Sequence, residues 1–336
     1  MCYTKDRNEL ELGACPLKRK RSKRISYKII GLVFLLILLI ICSICWIFYQ
    51  QSKPVKDIFI PEWQYPIKQL NFPKSSSKVI SHRGYKQGGV ENTLEAIEAA
   101  AHFEPAYVEI DIQQTKDDEM VVIHDRSLKR LANKKRKIRN STLKELKKVK
   151  LKQNGFVGQI PTLEEAIQLA QQEQQPLLLD IKTNPTDSLD FPQQLVDLLT
   201  KYKVQNYYLI QSQDENFLKR VKQINPQIQV GLIITALPSK DFSDFQFLSL
   251  KYKLANQNLL DSQVKEKRPI FLWTLDQPAE IKLFMHKNIE AIITDDSSTA
   301  TVLQQTIKPA TLSSSYLERI KNAEQKADLK RSLSVP

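Results

Sequence analysis

The chain has 336 residues, 42% of them hydrophobic and 26% charged, which fits one domain of about 250 residues with appendages and an ordinary globular composition. Its net charge of +13 is concentrated in two segments: Met1 to Lys28 holds nine Lys/Arg against three acids, and Arg126 to Lys152 holds thirteen against Glu145 alone. The remainder is slightly acidic, so no nucleic-acid partner is expected. All four cysteines, Cys2, Cys15, Cys42 and Cys45, lie near the start of the chain, which excludes an intrachain disulfide or a cysteine zinc site beyond them.

Residues 1–28 form a basic segment, and Ile29 to Tyr49 is uncharged and almost wholly apolar. As a helix those 21 residues cover roughly 30 Å, the thickness of a bilayer core, so one transmembrane helix is expected at 29–49. A cleaved signal peptide has a shorter apolar run and a small-residue cleavage site, whereas this run ends in Trp46-Ile47-Phe48-Tyr49, an interfacial aromatic belt. The cluster Lys18-Arg19-Lys20-Arg21-Ser22-Lys23-Arg24 before the span keeps the N-terminus cytoplasmic. A single-pass protein of the cell membrane with its catalytic domain outside the cytoplasm follows. Residues 50–77, with Pro54, Pro61, Pro66, Pro73 and three serines at 75–77, read as a linker.

From Lys78 strand and helix patterns alternate. Strands are expected at Val79 to His82, Tyr107 to Thr115, Pro176 to Thr183, Tyr207 to Gln211, Gln229 to Thr235, Ile270 to Leu275 and Ala291 to Thr294, with a weaker unit around Phe242 to Ala255. Helices are expected at Asn92 to Phe103, Thr162 to Glu173, Asp187 to Tyr202, Pro278 to His286 and Ser298 to Ile307. Approximately eight such units predict an α/β fold, a TIM (β/α)8 barrel over 78–308, with an insertion at about 116–160 after the second strand. An open doubly wound sheet is the alternative, but its Gly-rich first turn is missing. Residues 309–336 form a polar tail.

The stretch Tyr107 to Asp125 concentrates the chemistry. Glu109 and Asp111 alternate with Val108, Ile110 and Ile112, so both carboxylates point the same way. The plain reading is a solvated edge strand. Against it, the turn at residues 116–119 leads into an apolar run, Met120 to Ile123, that ends on His124-Asp125, folding an imidazole back toward the carboxylates. Active sites of such barrels lie at the carboxyl ends of the strands. His82-Arg83-Gly84, Asp180, Lys182, Trp273 and Asp295 gather there too. Glu109, Asp111 and Asp180 suit a hard divalent cation such as Ca2+ or Mg2+. Arg83 and Lys182 suit a phosphate, and His82 and His124 suit general acid and base roles, in an order the sequence leaves open.

The motifs His82-Arg83-Gly84, Glu91-Asn92-Thr93, Glu109-Ile110-Asp111, His124-Asp125 and Asp180-Ile181-Lys182, followed by Leu272-Trp273-Thr274-Leu275 and Ile292-Ile293-Thr294-Asp295, resemble in order those of the glycerophosphodiester phosphodiesterase family. The resemblance implies a TIM barrel with His82 and His124 as acid/base catalysts. It implies Glu109, Asp111 and Asp180 as ligands of a divalent cation, with Arg83 and Lys182 on phosphate. Trp273 would be a pocket wall against the glycerol, and the reaction would hydrolyse a glycerophosphodiester to glycerol 3-phosphate and an alcohol. Two positions depart from the pattern: Asp180 stands where the family has Glu, and Gln213 where Phe is common.

The alternatives are a phospholipase D-like or cyclising activity on lipid or glycerol-phosphate polymer, and a non-catalytic module that binds anionic polymer. The basic run 126–152 reads either as a solvated face or as a contact for anionic lipid or polymer at the mouth of the site. Glu91 and Asn92 are expected to fix the first loop and cap its helix, Asp125 to orient its loop, and His102 and His286 to be structural.

Overall fold

A computed structural model describes residues 77–236 and 242–307. The expected membrane span at 29–49, the basic segment before it, nearly all of the linker and the polar tail lie outside the described residues. Among the described residues no helix is long and apolar enough to cross a membrane.

Eleven strands are present among these residues: β1 (Lys78–His82), β2 (Tyr107–Gln114), β3 (Met120–Val122), β4 (Leu151–Gln153), β5 (Phe156–Gly158), β6 (Leu177–Ile181), β7 (Leu209–Ser212), β8 (Gln229–Ile234), β9 (Phe247–Lys251), β10 (Ile270–Trp273) and β11 (Ala291–Thr294). β1, β2 and β6 to β11 pair in parallel in chain order, and β1 also pairs with β11, closing an eight-stranded barrel. The barrel is a TIM barrel, as its alternating pattern predicts. The weak unit around Phe242 resolves into β9. Helices Glu215–Ile224 and Gln257–Lys265 had little sequence signal because their buried faces are narrow, Phe217, Leu218 and Val221 in one and Leu260 and Gln263 in the other.

Strand alternation divides the barrel residues into two sets. Val108, Ile110, Ile112, Leu177, Leu179, Ile210, Val230, Leu248, Leu272 and Ile292 belong to the large outer core shared with the helices. Ile80, Leu178, Leu209, Phe247, Phe271, Ala291 and Ile293 form a separate apolar cluster, with Tyr107 and Trp273 against it. Phe247 and Phe271 stack with ring centroids 4.6 Å apart. A Cβ on Gly231 would sit 2.0 Å from the Phe247 ring, so glycine on β8 makes room for that aromatic. Above this apolar floor the same strand faces carry Glu109, Asp111, Asp180, Gln211 and Ser249, all buried.

Helix ends follow the side-chain rules. Thr162 and Glu165 form a reciprocal capping box on helix Leu163–Gln172, worth about 1 kcal/mol. Helix Leu94–Ala101 is capped by Thr93, whose hydroxyl accepts from the Ala96 amide. That corrects the expected cap at Glu91 and Asn92, which are drawn into the site instead.

The insertion is a folded unit. β3 runs antiparallel to the carboxyl end of β2, with Ile112 opposite Val122, and β4 and β5 form their own hairpin. Leu128, Leu131, Ile138, Leu146, Val149, Leu151 and Phe156 build a local core. Part of its positive charge is structural: Arg136 pairs with Glu145 at 3.0 Å and Arg139 with Asp118 at 2.7 Å.

Candidate active site

At the end of β1 the chain takes two successive left-handed residues, Arg83 (φ 59°) and Gly84 (φ 77°). This turn aims the Arg83 amide at Glu109, donating to Oε2 at 2.9 Å. Gly84 packs so closely on helix Leu94–Ala101 that an added Cβ would lie 2.6 Å from the Ala96 carbonyl carbon. Glycine is therefore required there both by φ and by space.

Register aligns the acids. Asp111 on β2 lies opposite Asp180 on β6, and Glu109 lies opposite His82 on β1. One carboxylate oxygen from each of Glu109, Asp111 and Asp180 lies within 4.8 Å of the others. Lys182 Nζ reaches Asp180 at 2.6 Å and Asp111 at 3.1 Å, and Arg83 Nε reaches Asp111 at 3.1 Å. Asn92 pins Asp111 from the other side, its Nδ2 donating at 2.8 Å while its Oδ1 accepts from the Asp111 amide at 3.0 Å.

Three buried carboxylates face two cations, a local charge of −1. The titration directions report that imbalance. Burial, and then the charges of Asp111 and Asp180, push Glu109 well above the ordinary carboxylate range. Burial also drives Asp180 up to about 6, against the pull of Lys182. At Asp111 burial again opposes ionisation, but Lys182 and Arg83 outweigh it and hold the carboxyl low. Asp180 Oδ1 is buried without a hydrogen-bond partner among the described residues. Hard oxygen donors at this spacing, with an unpartnered buried oxygen and repulsion left over, fit a divalent cation.

Both expected histidines are here, each held at Nδ1 by a carboxylate. His82 Nδ1 donates to Asp295 Oδ1 at 2.5 Å, and Lys86 Nζ meets the same oxygen at 2.6 Å. Burial lowers the His82 pKa, although the Asp295 hydrogen bond works the other way. His124 Nδ1 donates to Asp125 Oδ1 at 2.8 Å, and Arg130 Nε donates to Asp125 Oδ2 at 2.7 Å. Holding Nδ1 leaves each Nε2 free for proton transfer.

A cavity of about 750 Å³ opens beside this cluster, bordered by His124, Asp180 and Lys182 and by residues of the insertion and of the β7 end. Trp273 ends β10, half buried against the apolar floor of the barrel.

A model of the glycerophosphoryl diester phosphodiesterase family matches residues 82–299. The chain belongs to that family. A glycerophosphodiester phosphodiesterase of Caldanaerobacter subterraneus subsp. tengcongensis is 27% identical over 234 residues, covering 66% of this chain and 95% of that protein. In fold the chain is similar to a glycerophosphodiester phosphodiesterase from Parabacteroides distasonis (TM-score 0.63, 22% identity, 70% of this chain and 100% of that one). It is also similar to an Oleispira antarctica phosphodiesterase solved with the product sn-glycerol-3-phosphate (TM-score 0.58, 22% identity, 69% and 97%).

Within this phosphodiesterase barrel the structure adds contacts that the motifs do not show. Glu91 is buried and joins Arg83 (2.9 Å), Arg130 (2.6 and 2.8 Å) and Gln153 (2.7 Å). Arg130 in turn reaches Asp125, so a continuous chain of charged contacts runs from Arg83 to His124. Asp295 belongs to the closing motif, but its pairing with His82 carried no sequence signal, and Arg130, Gln153 and Lys86 carried none of their own. His102 and His286 stand at helix C-caps, with His102 Nδ1 donating to the Glu98 carbonyl at 2.7 Å, a structural arrangement.

Proposed function

We propose that the chain hydrolyses glycerophosphodiesters to glycerol 3-phosphate and an alcohol, with Glu109, Asp111 and Asp180 holding a divalent cation. The observation that carries this reading is the convergence of three carboxylates, two cations and two carboxylate-held imidazoles at one end of a barrel of this family. A divalent cation bound there supplies positive charge to the phosphate and acidifies a coordinated hydroxyl. Arg83 and Lys182 hold the phosphate oxygens and stabilise charge as it builds on them. Partly buried and with its pKa lowered below the ordinary value, His82 suits the base that takes the proton of the attacking oxygen. His124 borders the cavity, where the leaving alcohol has room, and it gives that alcohol its proton. Trp273 walls the opposite, glycerol side.

The test is release of glycerol 3-phosphate from glycerophosphocholine and glycerophosphoglycerol by the full-length protein, with Ca2+, with Mg2+ and with EDTA. Cation-dependent release, abolished in His82→Ala and in His124→Ala, is the expected result. Unchanged release in either variant would remove that histidine from the chemistry. A folded parent without turnover would favour a binding module for anionic polymer.

We also propose that the barrel is a cell-membrane ectodomain, anchored by 29–49 and set off by the linker 50–77. The support is the length of the apolar run and the basic cluster before it. Protease added to intact cells should digest the chain beyond Gln50; full protection would reverse the orientation.

A further inference from the structure

The cavity beside His124 has an unusual charge balance for a pocket that receives a leaving alcohol. Its acids are already engaged. Asp125 is paired with Arg130 and Asp180 with Lys182, and Asp214 accepts from the Thr183 hydroxyl and from the Phe217 amide. Three of its cations form no ion pair among the described residues, Arg126 standing only within electrostatic reach of Asp187, which Arg139 pairs. Arg126 donates to the Thr183 carbonyl at 3.2 Å, and Lys129 bonds only the neutral amide of Asn133. The ammonium of Lys137 engages no hydrogen bond or ion pair among the described residues. All three side chains line the same cavity as His124 and Lys182. Two of its other walls, the carboxyl ends of β6 and β7, fix it against the reacting centre. Elsewhere in the insertion Arg136, Arg139 and Lys147 find acids, and among its basic residues without an ion pair these three are the ones that line the cavity.

We infer that Arg126, Lys129 and Lys137 form an anion subsite for the leaving group, and that the preferred substrate is a glycerophosphodiester whose leaving alcohol bears a further phosphate. This rests on the hydrolytic reading above. Arg83 and Lys182 account for the reacting phosphate, and the cations of the wall line the cavity that His124 borders, which gives room to a second anion on the departing half. The reaction itself is unchanged: a water oxygen bonds to phosphorus, the bond from phosphorus to the leaving oxygen breaks, and that oxygen gains a proton. The additional phosphate takes no part in the bond changes. A choline or ethanolamine leaving group would bring a cation to a wall already positive, which disfavours it.

The test compares two synthetic diesters with the full-length protein: glycerol 3-phosphate esterified with ethylene glycol, and the same diester phosphorylated on its far hydroxyl. Both release glycerol 3-phosphate, so one assay reads both. The phosphorylated diester should be preferred about tenfold in kcat/KM, mostly through KM, as three partly exposed ion pairs would give. Rising salt should shrink the preference. In R126Q/K129Q/K137Q the ratio of the two kcat/KM values should fall to within about twofold of one, whereas K129R/K137R should keep it.

A parent ratio at or below one overturns the inference, as does a ratio retained in the triple glutamine variant. Failure to turn over either diester would count against the hydrolytic reading. Calorimetric binding of the phosphorylated diester then decides the subsite: binding lost in the triple variant sustains it, and equal heats in parent and variant overturn it.

Discussion

Arg130 closes a two-pronged ion pair on the buried carboxylate of Glu91, its Nη1 and Nη2 lying 2.8 and 2.6 Å from the two oxygens, and its Nε holds Asp125. One insertion arginine thus ties the first loop, through Glu91 and Arg83, to the segment that carries His124. The insertion is a structural part of the site as well as a wall beside it.

Glu91 should make the fold acid-sensitive. Burial opposes its ionisation, but Arg130 and Arg83 hold its pKa down at about 2, against an ordinary 4.5. A depressed carboxylate contributes stability that is complete above the unfolded-state value and is lost as pH falls through the folded one. The window is therefore between pH of about 4.5 and about 2, with on the order of 3 kcal/mol at stake. Denaturant unfolding of Glu91→Gln should show a loss of about 3 kcal/mol at pH 7, and the gap to the parent should narrow across that window. A gap independent of pH would mean that Glu91 acts by packing alone.

Asp295 should act through His82. It accepts the Nδ1 proton at 2.5 Å, which fixes the ring and leaves Nε2 free for the proposed base role. Asp295→Asn should lower kcat by about 100-fold or more with little change in KM, as loss of a histidine-orienting carboxylate does elsewhere. The direction of the pH effect follows from the causes at His82. Burial lowers its pKa and the Asp295 hydrogen bond raises it, so removing the latter lowers the pKa further. The acid limb of the kcat/KM profile should move to lower pH. A limb that stays in place would assign the titration to another group.

Much of this site was legible because strand alternation has a period of two. That period places Glu109 with Asp111 and Asp180 with Lys182 on the inner face of a barrel whose outer face is Val, Ile and Leu. Pairings across long sequence distances were not legible. His82 meets Asp295 across 213 residues, and Glu91 meets Arg130 across 39. Arg130 is one of thirteen basic residues between Arg126 and Lys152, and local pattern does not distinguish an arginine bound to a buried carboxylate from one in solvent. Asn92 likewise reads as a helix cap, yet its left-handed backbone (φ 60°) turns the side chain onto Asp111.

The apolar floor beneath the site should tolerate no added volume at β8. An alanine Cβ at Gly231 would enter the Phe247 ring at 2.0 Å, and Phe247 is itself stacked on Phe271. Gly231→Ala should destabilise the fold by about 1–3 kcal/mol, measured by denaturant unfolding. Gly231→Ala combined with Phe247→Leu should recover part of the loss, because the smaller side chain vacates the clashing volume. Equal stability of the single variant and the parent would show that the rings can move aside.

Cation binding should release protons, and more at pH 6 than at pH 8. Without a cation, burial and mutual repulsion raise Asp180 to about 6 and Glu109 well above the ordinary range. At pH 6 the trio therefore retains protons that a divalent ion must displace, on the order of one per ion bound. By pH 8 Asp180 has lost its proton, so the release is smaller and the apparent affinity higher. Calorimetric titration of Ca2+ into the protein, in buffers of different ionisation heat at the two pH values, measures the release directly. Asp180→Asn removes both a proposed ligand and the group titrating near 6, so it should weaken Ca2+ binding by about 100-fold and make the remaining heat less dependent on pH. A heat independent of buffer at pH 6 would mean that all three carboxylates are already ionised, and that Lys182 and Arg83 alone neutralise them.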